Sequence, residues 1–479
     1  MILSPTLIGF FIYLLLMLAI GAFMYRRNES NTDYFLGGRK MNPWVVALSE
    51  RSSGESAWLL LGLPGAALAT GLIEIWTAIG CLSGIVFYWY AVAGEIRKQS
   101  EKLNAITLPD VFANRFPKGG NVLRLTAMLI IIFFFTFYLS AQFNGAGKVL
   151  DVTFGIKPFT GILIGASVII LYTMLGGFQA VVWTDFVQAL LMIGALIILP
   201  MVGLIEVHAQ GKSLIPAMHE AGSSFLSLTG NRSGWAAVAT ILGGLSWAFG
   251  YLGQPHLLTK FMAIKDPAKM KVSRRIAFAW AFPAFAGALL IGFSGLALYG
   301  QGIFTDVEKV MPSMANALLP QWIAGILISA AIAAMMSTAD GQLLVISSTV
   351  AEDFCHHILR IKLSSKAMVN LSRLATIVVG LAAFIIAITS EKLIFSMVSY
   401  AWSGLGASFG PAILLMLKWK KITWQGVLAG MLTGTISTIV WSEIDFLENA
   451  LSVRFASFVL AFVAVVGVTL LTQDNRRED

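Results

Sequence analysis

The sequence predicts an all-α polytopic membrane protein of about thirteen transmembrane helices, two of them interrupted by polar, non-helical segments. Three observations carry this. Of 479 residues, 57% are apolar and only 12% charged, with a mean hydropathy of +0.80. Soluble domains average about 25% charged residues, so this chain has too little polar surface to cover itself in water. Apolar runs of about 20 residues, long enough to cross a bilayer core, recur from end to end with short gaps between them. Lys and Arg gather in alternate gaps, as expected of inner loops.

The apolar runs place spans at 6–25, 42–70, 72–95, 121–149, 158–176, 182–207, 234–258, 275–301, 319–350, 371–389, 393–417, 423–442 and 450–472. The stretch 319–350 is long for one crossing; tilt or an interfacial end accommodates it. The first run, Leu7 to Met24, has neither a basic stretch before it nor a cleavage site after it, so it reads as a retained span. With the N-terminus outside and the C-terminus inside, the inner segments hold 25 of the 33 Lys and Arg and the outer ones 7. Arg51 lies within a span. The odd span count fits that alternation.

Other functions are poorly supported. The net charge of +8 reports basic inner loops, among them Lys260 to Arg275, rather than a nucleic-acid surface. Cys81, in a helix, and Cys355, in a basic loop, suggest no disulfide framework and have no metal-ligand spacing. His356-His357 is a lone pair in the same charged loop. No nucleophile motif, HExxH cluster or appended soluble domain points to an enzyme or sensor. The partners implied are the lipid bilayer, a small solute and an ion, with no obligatory protein partner.

Function is expected where the apolar pattern fails, because a charge at bilayer depth costs about 3 kcal/mol or more and usually faces a cavity or a partner. The second span carries Leu48-Ser49-Glu50-Arg51-Ser52-Ser53-Gly54-Glu55-Ser56-Ala57-Trp58. An unwound helix, whose free carbonyls and half-helix ends make an ion and solute site, would choose such a run. The seventh span carries Gly243 through His256, rich in Gly and ending Gln254-Pro255-His256, and both Gly and Pro weaken a helix. Trp247 and Tyr251 are four apart and share a face. The two breaks lie five spans apart, the placement expected of inverted five-helix repeats.

In the ninth span, Ser337 and Asp340 share one helical face and Thr338 adjoins them. Hydroxyl and carboxylate oxygens suit a hard cation such as Na⁺, by extension from hard divalent ions. Asp340 needs a partner if buried. Asp185 begins the sixth span from the inner side and Glu74 lies near the outer start of the third. Arg51 either pairs with a solute carboxylate or neutralises Glu50 and Glu55.

These motifs resemble the sodium:solute symporter family, and within it the branch that carries proline. The likeness covers nearly the whole chain. It runs through Asp33-Tyr34-Phe35-Leu36-Gly37-Gly38-Arg39, Trp58 to Ala66, Gly176-Gly177-Phe178, Trp183-Thr184-Asp185, Gly250 to His256, Met336-Ser337-Thr338 and Ser399-Tyr400-Ala401-Trp402. The resemblance implies a LeuT-like core of five-plus-five inverted repeats, 42–207 and 234–417, with discontinuous first and sixth core helices. An extra helix and inner loop (1–41) precede it, an external loop (208–233) joins its halves, and two helices and a tail (418–479) follow. It implies a Na⁺ site formed by the carbonyls of Ser52, Glu55 and Ala334 and the hydroxyls of Ser337 and Thr338. The solute would be held by Trp58, Tyr138, Trp247, Tyr251 and Pro255, with Glu55 and Ser56 beside them. A second cation, Na⁺ or H⁺, would use Asp185 and Asp340 with Ser337 and Gly341.

The chain departs from the proline branch at Gly54, where that branch has an Asp, and at Glu55, where it has a Met; Glu55 takes over the charge one position along. The resulting expectation is Na⁺-coupled uptake of a small amino acid, L-proline first, by alternating access in the inner (plasma) membrane. The alternative is a Na⁺ or H⁺ symporter of the same family for another small amino acid or carboxylate.

Overall fold

The computed structural model describes residues 5–25, 35–175, 177–361 and 364–473. Asp33, Tyr34 and Gly176 of the family-like motifs lie outside these, as do the basic residues Arg26, Arg27, Lys362, Arg476 and Arg477 counted toward the inner side.

The described chain is helical, with one isolated parallel bridge between Met41 and Ile264. In order, the helices are α1 (Pro5–Tyr25), α2 (Pro43–Ala57), α3 (Leu63–Thr70), α4 (Ile75–Ala91), α5 (Ala93–Lys102), α6 (Leu108–Arg115), α7 (Gly120–Phe154), α8 (Pro158–Leu175) and α9 (Phe178–Ala209). Then come α10 (Leu214–Ala221), α11 (Gly234–Leu245), α12 (Trp247–Tyr251), α13 (Pro255–Met262), α14 (Met270–Tyr299) and α15 (Val310–Leu318). The last six are α16 (Gln321–Ser348), α17 (Ser365–Thr389), α18 (Ile394–Lys418), α19 (Trp424–Ser442), α20 (Asp445–Ala450) and α21 (Val453–Thr472). Among the described residues eight helical stretches are long and apolar enough to cross a membrane, or nine with the bent α11–α13 counted as one.

The segments sequence reasoning singled out are where the helices break. α2 starts cleanly: Pro43 occupies its first position and Asn42 Oδ1 accepts a 2.9 Å bond from Trp44 N, both favourable start signals. It ends at Ser56, whose φ of 36° and ψ of −164° are not helical. A π-helical turn, Trp58–Gly62, then leads into α3. Isolated wide turns of this kind are frequent at functional sites. The second break separates α12 from α13 at Leu252–Gln254, and Pro255 restarts the helix with a 43° bend. By contrast, Ser337 to Gln342 sit within α16, which is unbroken.

These elements converge. α2 packs on α9, α14 and α16, while α7 packs on α16 and α18. α19 and α21 form a unit against α18. The first break is therefore enclosed on all sides, and every residue from Ser49 to Leu61 is buried.

Some expectations need correcting. Lys260 is not loop charge: it lies in α13 and is only 1% exposed. Loop 208–233 contains α10 and a short 3-10 turn, Ser223–Leu226. Cys355, His356 and His357 belong to a π-helical extension of α16, Thr349–Ile358, rather than to a basic loop. A long apolar run is easily read as ending where charge begins, yet backbone hydrogen bonding carries the helix on past it.

Candidate functional site

The site is built around Ser56. On its N-terminal side, α2 and α16 are stitched together through oxygen atoms. Ser337 Oγ donates to Ser52 O (3.1 Å) and to Ala334 O (3.0 Å), and Thr338 Oγ1 donates to Ser53 O (2.9 Å). Ser53 Oγ in turn donates to Ser337 O (2.5 Å). Four of the five residues expected to hold Na⁺ are thus in one place. The fifth, Glu55, has its carbonyl engaged by Trp58 N across the break. Carbonyl and hydroxyl oxygens that satisfy one another can be redirected onto a hard cation.

Beyond Ser56 lies an aromatic box. Trp58 and Trp247 stack with centroids 4.9 Å apart and planes 20° from parallel. Tyr251 sits edge-on to Trp402 at 5.0 Å, and Tyr138 meets the same ring at 6.0 Å. Phe395 approaches Trp247 at 5.1 Å. Tyr138 OH donates to Ser56 Oγ at 3.4 Å, and Gln142 Oε1 accepts from Ala57 N at 3.1 Å. The indole N–H groups of Trp58 and Trp247 are buried without an acceptor. Buried polar groups are normally satisfied, so two orphan donors in one box mark a place for an acceptor-bearing ligand. Pro255 is buried at the start of α13 and helps to set the second break.

The polar face of the box is an acid. Glu55 Oε1 accepts from Arg51 Nη1 at 2.7 Å, and both its oxygens lie within reach of Tyr251 OH, at 3.2 and 3.1 Å. Arg51 also bridges Glu50 through Nε (2.7 Å) and Nη2, and Trp89 Nε1 donates to Glu50 at 3.2 Å. Arg51 therefore pairs with both glutamates, through Nε and Nη2 to Glu50 and through Nη1 to Glu55. Gly54 matters through space rather than charge: a Cβ there would meet Leu257 Cδ1 at 3.4 Å and Arg51 Nη2 at 3.6 Å.

The residues proposed for a second cation sit differently. Asp185 Oδ2 accepts from Ser49 Oγ (2.7 Å) and Lys260 Nζ (2.5 Å) and lies 3.1 Å from Ser53 Oγ. Asp340 is fully buried, and neither of its carboxylate oxygens has a hydrogen-bond donor. Glu74 is bound by Thr77 at 2.8 Å and Thr70 at 3.3 Å, away from the box.

Sequence reasoning missed several contributors. Trp402, inside a quoted motif, had no role, yet its Nε1 donates to Trp247 O at 3.2 Å. Gly250 makes that approach possible, since a Cβ there would stand 1.6 Å from Trp402 Nε1. Arg454, from α21, lies over Trp247 with its Cζ 4.7 Å from the ring and donates to Gly243 O at 2.9 Å. It also bonds Ser399. It lines a cleft of about 660 Å³ with Phe395, Ser399, Tyr400 and Lys392. Lys260 left one signal: it stands between Leu257-Leu258 and Phe261-Met262, four residues after His256, so both share one helical face.

An enclosed helical membrane fold, with two interrupted helices meeting beside paired hydroxyls and an aromatic box, is the architecture of a solute transporter. The sequence model of the sodium:solute symporter family matches residues 34–434. The chain belongs to that family. It is 39% identical to the sodium/proline symporter of Escherichia coli (strain K12) over 98% of this chain and 93% of that one. It is 40% identical to the high-affinity proline transporter PutP of Bacillus subtilis (strain 168), over 95% and 96% respectively. Among solved structures, a substrate-bound, outward-open Na⁺-coupled sialic acid symporter aligns with a TM-score of 0.81, at 20% identity, over 98% of both chains. The protein is thus an integral membrane transporter.

Proposed function

We propose that this protein is a Na⁺-coupled symporter that takes up L-proline by alternating access. The observation that carries this is adjacency: the Ser337–Ser52 and Thr338–Ser53 contacts lie within one helical turn before Ser56, and the Glu55–Tyr251 and Trp58–Trp247 contacts flank it. Relatives at about 40% identity whose names specify proline support the choice of solute.

Na⁺ entering between α2 and α16 is coordinated by the oxygens of Ser52, Ala334, Ser337 and Thr338, with the Glu55 carbonyl. It replaces hydroxyl–carbonyl bonds with ion contacts and fixes the end of α2 on which the solute pocket is built. Solute and ion then tighten each other's binding by the same factor. The membrane potential adds about 2.3 kcal/mol per charge per 100 mV to inward movement.

Proline has a cationic amine, a carboxylate and an apolar ring. Glu55 receives the amine, the free indole N–H groups of Trp58 and Trp247 face the carboxylate, and Tyr138, Tyr251 and Pro255 close on the ring. Arg51, spent on Glu50 and Glu55, is not free for a solute carboxylate. This argues against solutes that carry only a carboxylate.

Thirteen crossings, five-plus-five inverted repeats at 42–207 and 234–417, and an outside N-terminus with an inside C-terminus belong to this reading. The spacing of the breaks and the charge asymmetry support them. On the side then facing the cytoplasm, α13 is tied to α5. Arg39 donates to Ser100 Oγ (2.9 Å), Met262 O (2.9 Å), Ser100 O (3.1 Å) and Ala105 O (2.7 Å). Arg97 Nε donates to Ile264 O at 2.7 Å. These clamps fasten the end of α13 to α5.

The test is uptake of labelled L-proline into proteoliposomes holding the purified protein, under an inward Na⁺ gradient or an equal K⁺ gradient, with a panel of unlabelled solutes as competitors. Uptake indifferent to Na⁺, or competed equally by unrelated solutes, would overturn the proposal.

A further inference from the structure

One buried cation stands apart from the solute pocket and from the Na⁺ ligands. Lys260 reaches from α13 into the α2–α9 interface, and its ammonium meets Asp185 Oδ2 (2.5 Å), Ser49 O (3.0 Å) and Ser53 Oγ. The Lys260 side chain is 2% exposed and that of Asp185 is fully buried. An ammonium has three N–H donors and no acceptor; here three oxygens take all three. A carboxylate, a hydroxyl and a carbonyl are also the donor set a small hard cation would choose. The ammonium therefore fills, and saturates, what would otherwise be a cation site.

Its position ties it to the coupling machinery. Ser53, which the ammonium holds by its hydroxyl, gives its carbonyl to Thr338 and its Oγ proton to Ser337 O. His256, one turn before Lys260 on the same face of α13, lies 3.3 Å from Ser53 O through Nε2. The half of the second broken helix that follows the break is thus fastened to the residue next to the Na⁺ ligand Ser52. A buried ammonium paired at a single carboxylate is costly to separate, so this link persists unless α13 moves as a unit. With Asp185 compensated by Lys260, Asp340 alone remains of the two acids to be balanced by a mobile ion.

We infer that Lys260 is a tethered cation standing in for a second Na⁺, so that the protein moves one Na⁺ per solute and Lys260 is a positioning residue for the ion site. The inference rests on the Na⁺-symport reading above.

It is tested with the full-length protein in proteoliposomes, by the Hill coefficient of Na⁺-driven proline uptake and by the charge carried per proline, read from the reversal potential. Wild type should give a Hill coefficient near one and one charge per proline. Lys260→Met removes the ammonium but keeps the unbranched stem, leaving Asp185 to recruit Na⁺. Its Hill coefficient should rise toward two, with a second charge per proline. Lys260→Arg should stay near one, and the double variant Lys260→Met/Asp185→Asn should return to one. A wild-type protein that moves two Na⁺ per proline overturns the inference whether or not the variants fold. So does a folded Lys260→Met that keeps both wild-type readings. Wild-type uptake that needs no Na⁺ at all would instead remove the function on which the inference stands.

Discussion

Tyr251→Phe deletes one oxygen atom from the centre of the site and leaves its shape intact. The ring is fully buried and stays against Trp402 at 5.0 Å. What is lost is a hydroxyl within 3.2 Å of both oxygens of the Glu55 carboxylate. A hydrogen bond to a charged group is worth about 1.5–3 kcal/mol, or roughly 10- to 150-fold in an equilibrium constant. Some of that falls on the empty protein and lowers its stability. The rest falls on the bound state, because Arg51 alone then orients the carboxylate that receives the amine. The share that falls on the bound state should raise the KM for proline by roughly tenfold. The Na⁺ concentration for half-maximal rate, measured at saturating proline, should move by less than about threefold, because the ion's oxygens on α2 and α16 are bonded to Ser52 and Ser53 rather than to the Glu55 carboxylate. Initial rates in proteoliposomes measure both. An unchanged proline KM, or a Na⁺ shift as large as the proline shift, would refute the assignment of Glu55 and Tyr251 to the solute.

Three further outcomes follow from the same geometry. Ser337→Ala and Thr338→Ala each remove a hydroxyl that meets an α2 carbonyl, and each should raise the half-saturating Na⁺ by about tenfold, the equivalent of ~1.4 kcal/mol, with proline KM at saturating Na⁺ little altered; ion-titrated uptake checks this. Gly250→Ala drives a methyl into Trp402 Nε1 and should abolish transport and lower the thermal midpoint, whereas Gly155→Ala, where a Cβ meets nothing within 4 Å, should be milder despite its left-handed φ of 65°. Asp340→Asn keeps the shape of a buried carboxylate that has no donor and removes its charge; it should change the pH dependence of uptake while one charge still moves per solute, and a wild-type pH profile would return Asp340 to a packing role.

Local chemistry made the breaks legible. Ser, Gly and Glu within an apolar run, and Gly followed by Gln-Pro, disfavour a helix whatever surrounds them, and the chain departs from helical geometry at Ser56 and at Leu252–Gln254. The pairing of Ser337 and Thr338 with α2 was implied only by the family resemblance; their own neighbourhood suggested no more than a hard cation. Residues whose role depends on a distant partner were not legible. Trp402 meets Trp247 across 155 positions, and Arg454 reaches Gly243 across 211. Nothing in their own neighbourhoods marks them. Lys260 was obscured by its company: five further basic residues follow it before position 276, and these read as loop charge. Only its place between Leu257-Leu258 and Phe261-Met262 hinted that it belongs inside.

The account rests on ion and solute sharing the end of α2, which makes their binding mutually dependent. Thermal unfolding of the purified protein with proline, in Na⁺ and in K⁺ at equal ionic strength, tests this most directly. A ligand at about 100 times its Kd stabilises by ~2.7 kcal/mol. The account predicts that proline raises the midpoint in Na⁺ and does so far less in K⁺, and that Ser337→Ala narrows the difference. Equal stabilisation by proline in both salts would contradict it.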